Sequence, residues 1–196
     1  MKKIYTLFVF FFTLNCTLFA TQNPGFIITK DAKIITGKVA DIFYSNWKTE
    51  LVFINEMGRR YNFPPALIKG FAINTGSEIV EFESKFQKGQ WRFLKILEKG
   101  KNLTLYRSPS VKTQRLAQNY SNQQIIKKNV REYWLEVQKD NPIRIYPISY
   151  KKQLRMFLAN QPTLLDKLGQ KGYKFRDLQK IIIEYNDLIE RKLTAI

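Results

Sequence analysis

From residue 26 onward, short runs of β-branched and aromatic residues alternate with polar punctuation. Phe26-Ile27-Ile28-Thr29, the turn Lys30-Asp31-Ala32 and Lys33-Ile34-Ile35-Thr36-Gly37-Lys38-Val39 read as a hairpin leading into a longer strand. Glu50-Leu51-Val52-Phe53-Ile54 is another strand, and Glu56-Met57-Gly58-Arg59 turns the chain into Arg60-Tyr61-Asn62-Phe63. Pro64-Pro65 ends that strand, because proline cannot donate to a ladder. A short helical turn at 66–69 precedes a strand at 70–74. After Thr75-Gly76-Ser77 comes a strand at 78–86, with Val80, Phe82 and Ser84 on one face and Ile79, Glu81, Glu83 and Lys85 on the other. Residues 91–97 and 102–106 form a hairpin around Glu98-Lys99-Gly100-Lys101, and 132–137 and 143–146 pair around Asp140-Asn141-Pro142. About nine strands with tight turns predict a mainly antiparallel sheet, a curled sandwich or an open barrel.

The pattern changes at Pro147. Ser149 is a good N-cap for a helix that carries Leu154, Phe157 and Leu158 on one side. Pro162 suits the first turn of a second helix over 163–168, which Gly169 and Gly172 close. The last helix, 175–193, places Leu178, Ile181, Ile182, Tyr185, Leu188 and Ile189 at helical spacing, the pattern of a packing face. The expected fold is α+β: a β-rich body over 21–148 and a three-helix tail over 149–196. The tail is too small for a core of its own, so body and tail form one folding unit.

The first twenty residues stand apart. Lys2 and Lys3 precede an apolar run at 4–12, and the segment ends in Leu18-Phe19-Ala20. A positive start, an apolar stretch and a small residue at a cut site describe a secretory signal peptide over 1–20. The expected mature chain starts near Thr21, is exported to the periplasm or an outer-membrane-associated position, and has no transmembrane span. Cys16 is the single cysteine, and no histidine occurs in the chain. Asn15 precedes Cys16 where a lipidation signal wants a small residue, so Cys16 reads as an apolar leader residue. The mature chain would then have neither imidazole nor thiol. That excludes Ser-His-Asp and Cys-His catalysis and zinc sites with nitrogen or sulfur ligands. No cofactor or metal site is implied.

Charge adds a class of partner. The chain has 33 basic and 16 acidic residues, a formal charge of +17; loss of Lys2 and Lys3 with the leader leaves +15. Such a field attracts polyanions, which outside the cytoplasm means anionic lipid, lipopolysaccharide or acidic polysaccharide. Arg107, Lys112, Arg115, Lys127, Lys128 and Arg131 fall in a stretch with no acid. The stretch is rich in amides and lacks an apolar period, so it reads as a long loop and is the candidate anion-binding segment. Tyr120 adds a stacking face within it. No phosphate-cradling glycine motif or nucleic-acid fingerprint accompanies these cations, so no specific nucleic-acid recognition is expected. A protein partner is a further expectation.

Several segments recur in order in a known group. They are Lys99-Gly100-Lys101 before Asn102-Leu103-Thr104-Leu105-Tyr106, Glu132-Tyr133-Trp134-Leu135, and Tyr150-Lys151-Lys152-Gln153-Leu154. Next come Gln161-Pro162-Thr163-Leu164-Leu165-Asp166-Lys167-Leu168 and Tyr173-Lys174-Phe175-Arg176-Asp177-Leu178, and finally Ile181-Ile182-Ile183-Glu184-Tyr185-Asn186. This C-terminal half resembles exported, uncharacterised β-rich proteins of Bacteroidetes-type bacteria with a helical tail ending in a Tyr-Asn pair. The resemblance implies export and architecture, and no catalytic residue.

Two further constellations bear on chemistry. Glu78, Glu81 and Glu83 are the densest acids, and a pair of them offers the parts of a carboxylate-dependent hydrolase of carbohydrate or peptidoglycan. Lys85 beside them favours surface ion pairing instead, so no catalytic residue is assigned and the leading expectation is a non-enzymatic binding or structural module. Trp47, Trp91 and Trp134 are possible sugar platforms. Trp134 sits in an apolar strand and is expected in the core, while Trp47, flanked by Asn46 and Lys48, is the surface candidate. Asp177 and Asn186 read as capping or tertiary hydrogen-bonding residues.

Overall fold

The computed structural model describes residues 23–44, 49–87, 89–115, 125–138 and 140–194. The expected leader at 1–20, Trp47 and Tyr120 lie outside these residues. Ten strands form one antiparallel sheet. They are β1 (Asn23–Thr29), β2 (Ile34–Tyr44), β3 (Thr49–Asn55), β4 (Arg60–Phe63), β5 (Ile68–Asn74), β6 (Ile79–Gln87), β7 (Gln90–Lys99), β8 (Leu103–Arg115), β9 (Ile125–Val137) and β10 (Ile143–Ile145). Their spatial order is β10-β9-β8-β7-β6-β5-β1-β2-β3-β4, an open sheet. The helices among the described residues are α1 (Tyr150–Phe157), α2 (Pro162–Lys167) and α3 (Leu178–Thr194). The α+β architecture expected from the hydrophobic pattern is the one observed, with the sandwich and barrel alternatives resolving to a single open sheet.

Strand alternation assigns the two faces. Ile27 stands opposite Phe71, and Phe71 opposite Phe82. These residues, with Val39, Leu51, Phe53 and Phe93, make one buried cluster. Phe71 stacks on Phe82 at 4.5 Å between centroids and meets the Phe93 ring edge-on at 4.9 Å. The sheet curls around this cluster, bringing β2 close to β8 and β3 close to β7. The turn expected at 66–69 is a 3-10 turn over Pro65–Leu67, with Pro65 buried where the turn meets β3, β5, β6 and β7.

The same face farther along the sheet is covered by the tail. Leu103, Leu105, Tyr133, Leu135 and Ile145 share a core with Leu154, Leu158, Leu164, Leu178, Ile181, Ile182 and Tyr185. The helical stripe is therefore a packing face against the sheet and the sister helices. Asn186 Nδ2 donates to the Leu103 carbonyl at 3.1 Å, and Asp177 accepts from the Lys174 N–H at 3.0 Å, the tertiary and capping roles expected of them. Ser149 does occupy the N-cap, but its side chain does not cap the backbone; Ser149 Oγ bonds Gln153 Oε1 at 3.1 Å. Gln153 also accepts from the Tyr146 N–H and donates to the Arg144 carbonyl at 2.8 Å, tying α1 to β10. Gly169, at φ of 96°, follows the C-cap of α2 as anticipated, because the left-handed region penalises a Cβ, whereas Gly172, at φ of 85°, lies in the turn beyond it.

The expectation of a long loop at 107–131 is corrected. β8 runs on to Arg115 and β9 starts at Ile125, in register from Leu103↔Val137 to Arg115↔Ile125. Among the described residues, β7 pairs with β8 only as far as Arg107, and β10 with β9 only as far as Tyr133. Beyond those points each strand has only the other as a ladder partner. The pairing of the two strands with each other, and not a local apolar period, defines this ribbon.

Candidate functional site

The face opposite the cores carries the densest polar chemistry. Ile28, Gly70, Glu83 and Leu94 form one cross-strand row, and Ile96, Tyr106, Trp134 and Arg144 another. Leu94, Tyr106 and Trp134 are buried together with Ile96 against them. Trp134 is thus a core residue, as its apolar setting predicts. Above this apolar patch, Glu83, Lys85, Lys99, Tyr106 and Glu136 close a network across four strands.

Its geometry is well defined. Glu83 Oε1 accepts from Lys99 Nζ at 3.0 Å, and Glu83 Oε2 accepts from the Tyr106 hydroxyl at 2.7 Å and from Lys85 Nζ at 3.0 Å. Lys85 Nζ also donates to Glu136 Oε1 at 2.7 Å, while Glu136 Oε2 meets the Tyr106 hydroxyl. Lys85 Nζ lies 5.2 Å from the centroid of the Tyr106 ring. Two carboxylates and two ammonium groups balance. The single phenolic proton stands between two carboxylate oxygens, so it can serve only one of them at a time.

Environment tunes these groups. Burial opposes ionisation of Glu83, but hydrogen bonds from Tyr106 and Lys99 and the charge of Lys85 outweigh it and hold the carboxyl below its usual range. The hydrogen bond to Glu83 holds the Lys99 ammonium above its usual range. Burial first, then hydrogen bonding to Glu136 and Glu83, pushes the Tyr106 hydroxyl far up, so it stays protonated. Each oxygen of Glu83 accepts from at least one donor, which lowers its basicity. That is the ordinary ion pairing expected from Lys85, and it is poor equipment for a nucleophile or general base. Glu81 shares the face of Glu83 and is exposed, as alternation predicts.

Two hollows flank the network. One, of about 470 Å³, is lined by Lys101, Asn102, Thr104 and Gln138 beside the five network residues. The other, of about 410 Å³, lies over β1, β5, β6 and β7, with Phe26, Ile28, Ala72 and Ile96 among its walls. Trp91 borders it, 40% exposed, under Lys30 Nζ at 4.5 Å from the ring centroid. Trp91 is therefore an exposed aromatic platform next to a concavity, a position the sequence did not single out over Trp47.

The candidate anion-binding residues occupy the β8–β9 ribbon. Arg107 stands opposite Tyr133, Lys112 opposite Lys128, Lys127 opposite Thr113, Arg131 opposite Pro109, and Arg115 opposite Ile125. Six residues spread over 25 positions of sequence are thus gathered along one two-stranded element. They are separate from the Glu83–Glu136 network, in which sequence reasoning missed Tyr106, Lys99 and Glu136. Among the described residues, no cluster of three or more acidic side chains is placed to hold a metal ion, and no helix is long and apolar enough to cross a membrane. Comparison of the chain with family models, curated proteins and solved structures finds no match.

Proposed function

We propose that the mature chain is a non-enzymatic binding module of the cell envelope that grips an anionic surface with the β8–β9 ribbon. The supporting observation is the register of that ribbon: Lys112 directly faces Lys128, with Arg107, Arg115, Lys127 and Arg131 along the same element and no acid within 107–131. Like charges opposite each other destabilise a strand pair, and a two-stranded ribbon is marginal by itself. An anionic surface offsets that repulsion. Export in front of such an element supplies the compartment in which anionic lipid, lipopolysaccharide and acidic polysaccharide are the available polyanions.

Sedimentation with phosphatidylglycerol vesicles, and retention on lipopolysaccharide and on heparin, test the reading across a salt series. Binding weakens as ionic strength rises and exposed charges are screened. Each Lys or Arg near an anionic lipid surface contributes about 1 kcal/mol. Neutralising Lys112, Lys127, Lys128 and Arg131 to Gln together therefore lowers vesicle affinity by about a thousandfold. Binding that ignores salt, or survives the fourfold change, overturns the proposal.

A further inference from the structure

We infer that the hollow over β1, β5, β6 and β7 is a binding site for a single-chain anionic amphiphile, an unbranched apolar chain ending in one phosphate or carboxylate. It lies on different strands from the ribbon and stands independently of the surface-binding reading.

The hollow exists because its floor carries almost no side-chain volume. Phe26, Ala72 and Glu81 form one row across the strands, and Ile28, Gly70 and Glu83 the next. A Cβ on Gly70 would lie 2.3 Å from the Phe82 carbonyl oxygen, so backbone packing keeps that position bare. Ala72 adds only a methyl group. Phe26, Ile28 and Ile96 wall the resulting space of about 410 Å³, a volume in the range of small-ligand sites.

The rim selects the head group. Four lysines border the hollow: Lys30, Lys69, Lys85 and Lys99. Lys85 and Lys99 are neutralised by Glu83 and Glu136. Lys30 and Lys69 take part in none of the ion pairs among the described residues. Glu81 is the one rim carboxylate outside the balanced network, so two cations stand against one acid. An apolar floor with surplus ammonium groups at its edge fits an apolar chain with an anionic end. Lys30 lies over the Trp91 ring and Lys69 feels the charge of Asp31; a neutral head adds no counter-charge to either, and a bare anion leaves the floor wet.

Trp91, at the rim, reports occupancy by its fluorescence. The full-length mature protein is titrated with dodecanoate, lysophosphatidylglycerol, lysophosphatidylcholine and inorganic phosphate, each below its micelle threshold, with Trp91→Phe as the signal control. Saturable binding of dodecanoate or lysophosphatidylglycerol is expected, and which of them binds tells carboxylate from phosphate recognition. Lysophosphatidylcholine should bind more weakly, and phosphate should give no response. Lys30→Glu and Lys69→Glu, both rim changes that leave the cores intact, should each weaken binding by about fivefold or more. Ala72 is itself buried, so Ala72→Leu overpacks the floor and should abolish binding, with a thermal melt to check that the variant is folded at the titration temperature. Neutralising Lys112, Lys127, Lys128 and Arg131 should leave this titration unchanged, so failure of the ribbon and failure of the hollow are read separately. No saturable response to either anionic amphiphile overturns the inference. So does equal affinity for lysophosphatidylcholine combined with indifference to Lys30→Glu and Lys69→Glu.

Discussion

Replacing Lys85 with Met keeps the length of the stem and removes the ammonium that two carboxylates share. Lys85 Nζ lies 3.0 Å from Glu83 Oε2 and 2.7 Å from Glu136 Oε1. The Glu136 side chain is 6% exposed, so its carboxylate regains little water when its partner leaves. Removing one member of a buried pair costs about 3–5 kcal/mol. Lys85 is itself 20% exposed, and Tyr106 remains against Glu136, which sets the cost at the lower end, about 3 kcal/mol. For a domain of this size that is a fall in Tm of roughly 6–12 °C. The loss also depends on pH. Glu83 is held below its usual range, so its stabilising contribution is complete above the unfolded value of about 4.3 and is lost as pH falls through the lower folded value. Without Lys85 the folded value moves up toward the unfolded one, and less stability remains to be lost in acid. The gap between wild type and Lys85→Met should therefore be widest near neutrality and narrow below about pH 4. Urea unfolding followed by circular dichroism at both pH values measures it, and adding Glu136→Gln to Lys85→Met should restore part of the loss. A cost under about 1 kcal/mol near neutrality, or a gap that widens in acid, refutes the assignment of Lys85 as the shared partner.

Two more outcomes test how the tail is held. A Cβ on Gly100 would lie 2.2 Å from Asn186 Cγ, so Gly100→Ala should cost about 1–3 kcal/mol by thermal melting; because the two residues touch, Gly100→Ala with Asn186→Ala should cost less than the sum of the singles. Leu154 is fully buried between α1 and the sheet, so Leu154→Ala should cost about 2–5 kcal/mol in urea melts, whereas Met156→Ala, on the exposed side of the same helix, should stay within about 0.5 kcal/mol.

Much of the fold was legible because its elements obey simple periods. The strands at 26–29, 50–54, 60–63, 70–74 and 78–86 show β-branched and aromatic runs between turn residues, and α3 shows a 3.6-residue stripe. The ribbon was not legible for a physical reason. Val111, Thr113, Ile125, Ile126 and Val130 carry strand propensity, but charges and amides interrupt any alternation. Its strands are specified by each other across a gap in sequence, which local pattern cannot register. The Glu83 network failed for a related reason. Parity along β6 put Glu81, Glu83 and Lys85 on one face, but Glu136 lies 51 residues from Lys85, and only cross-strand register brings the two together.

The bulge in β7 shows how that register builds the site. Ile96 pairs with Tyr106, yet Glu98 pairs with Leu105 and Lys99 with Thr104, so Leu97 is an extra residue. Alternation without it would send Lys99 to the face covered by the helices, because a one-residue slip exchanges the faces of a strand. With it, Lys99 falls on the face of Tyr106 and Glu83, and its ammonium reaches Glu83 Oε1 at 3.0 Å. A bulge also frees ladder groups that need other partners. Here Gln179 Nε2, from the start of α3, donates to the Leu97 carbonyl at 3.0 Å, and Leu97 packs on the core beneath the helices. The helical tail thus holds the irregularity that places a site residue on the opposite face of the sheet. Docking of α3 and assembly of the Glu83 network are parts of one arrangement, which is why a tail with no side chain in the network still belongs to its construction.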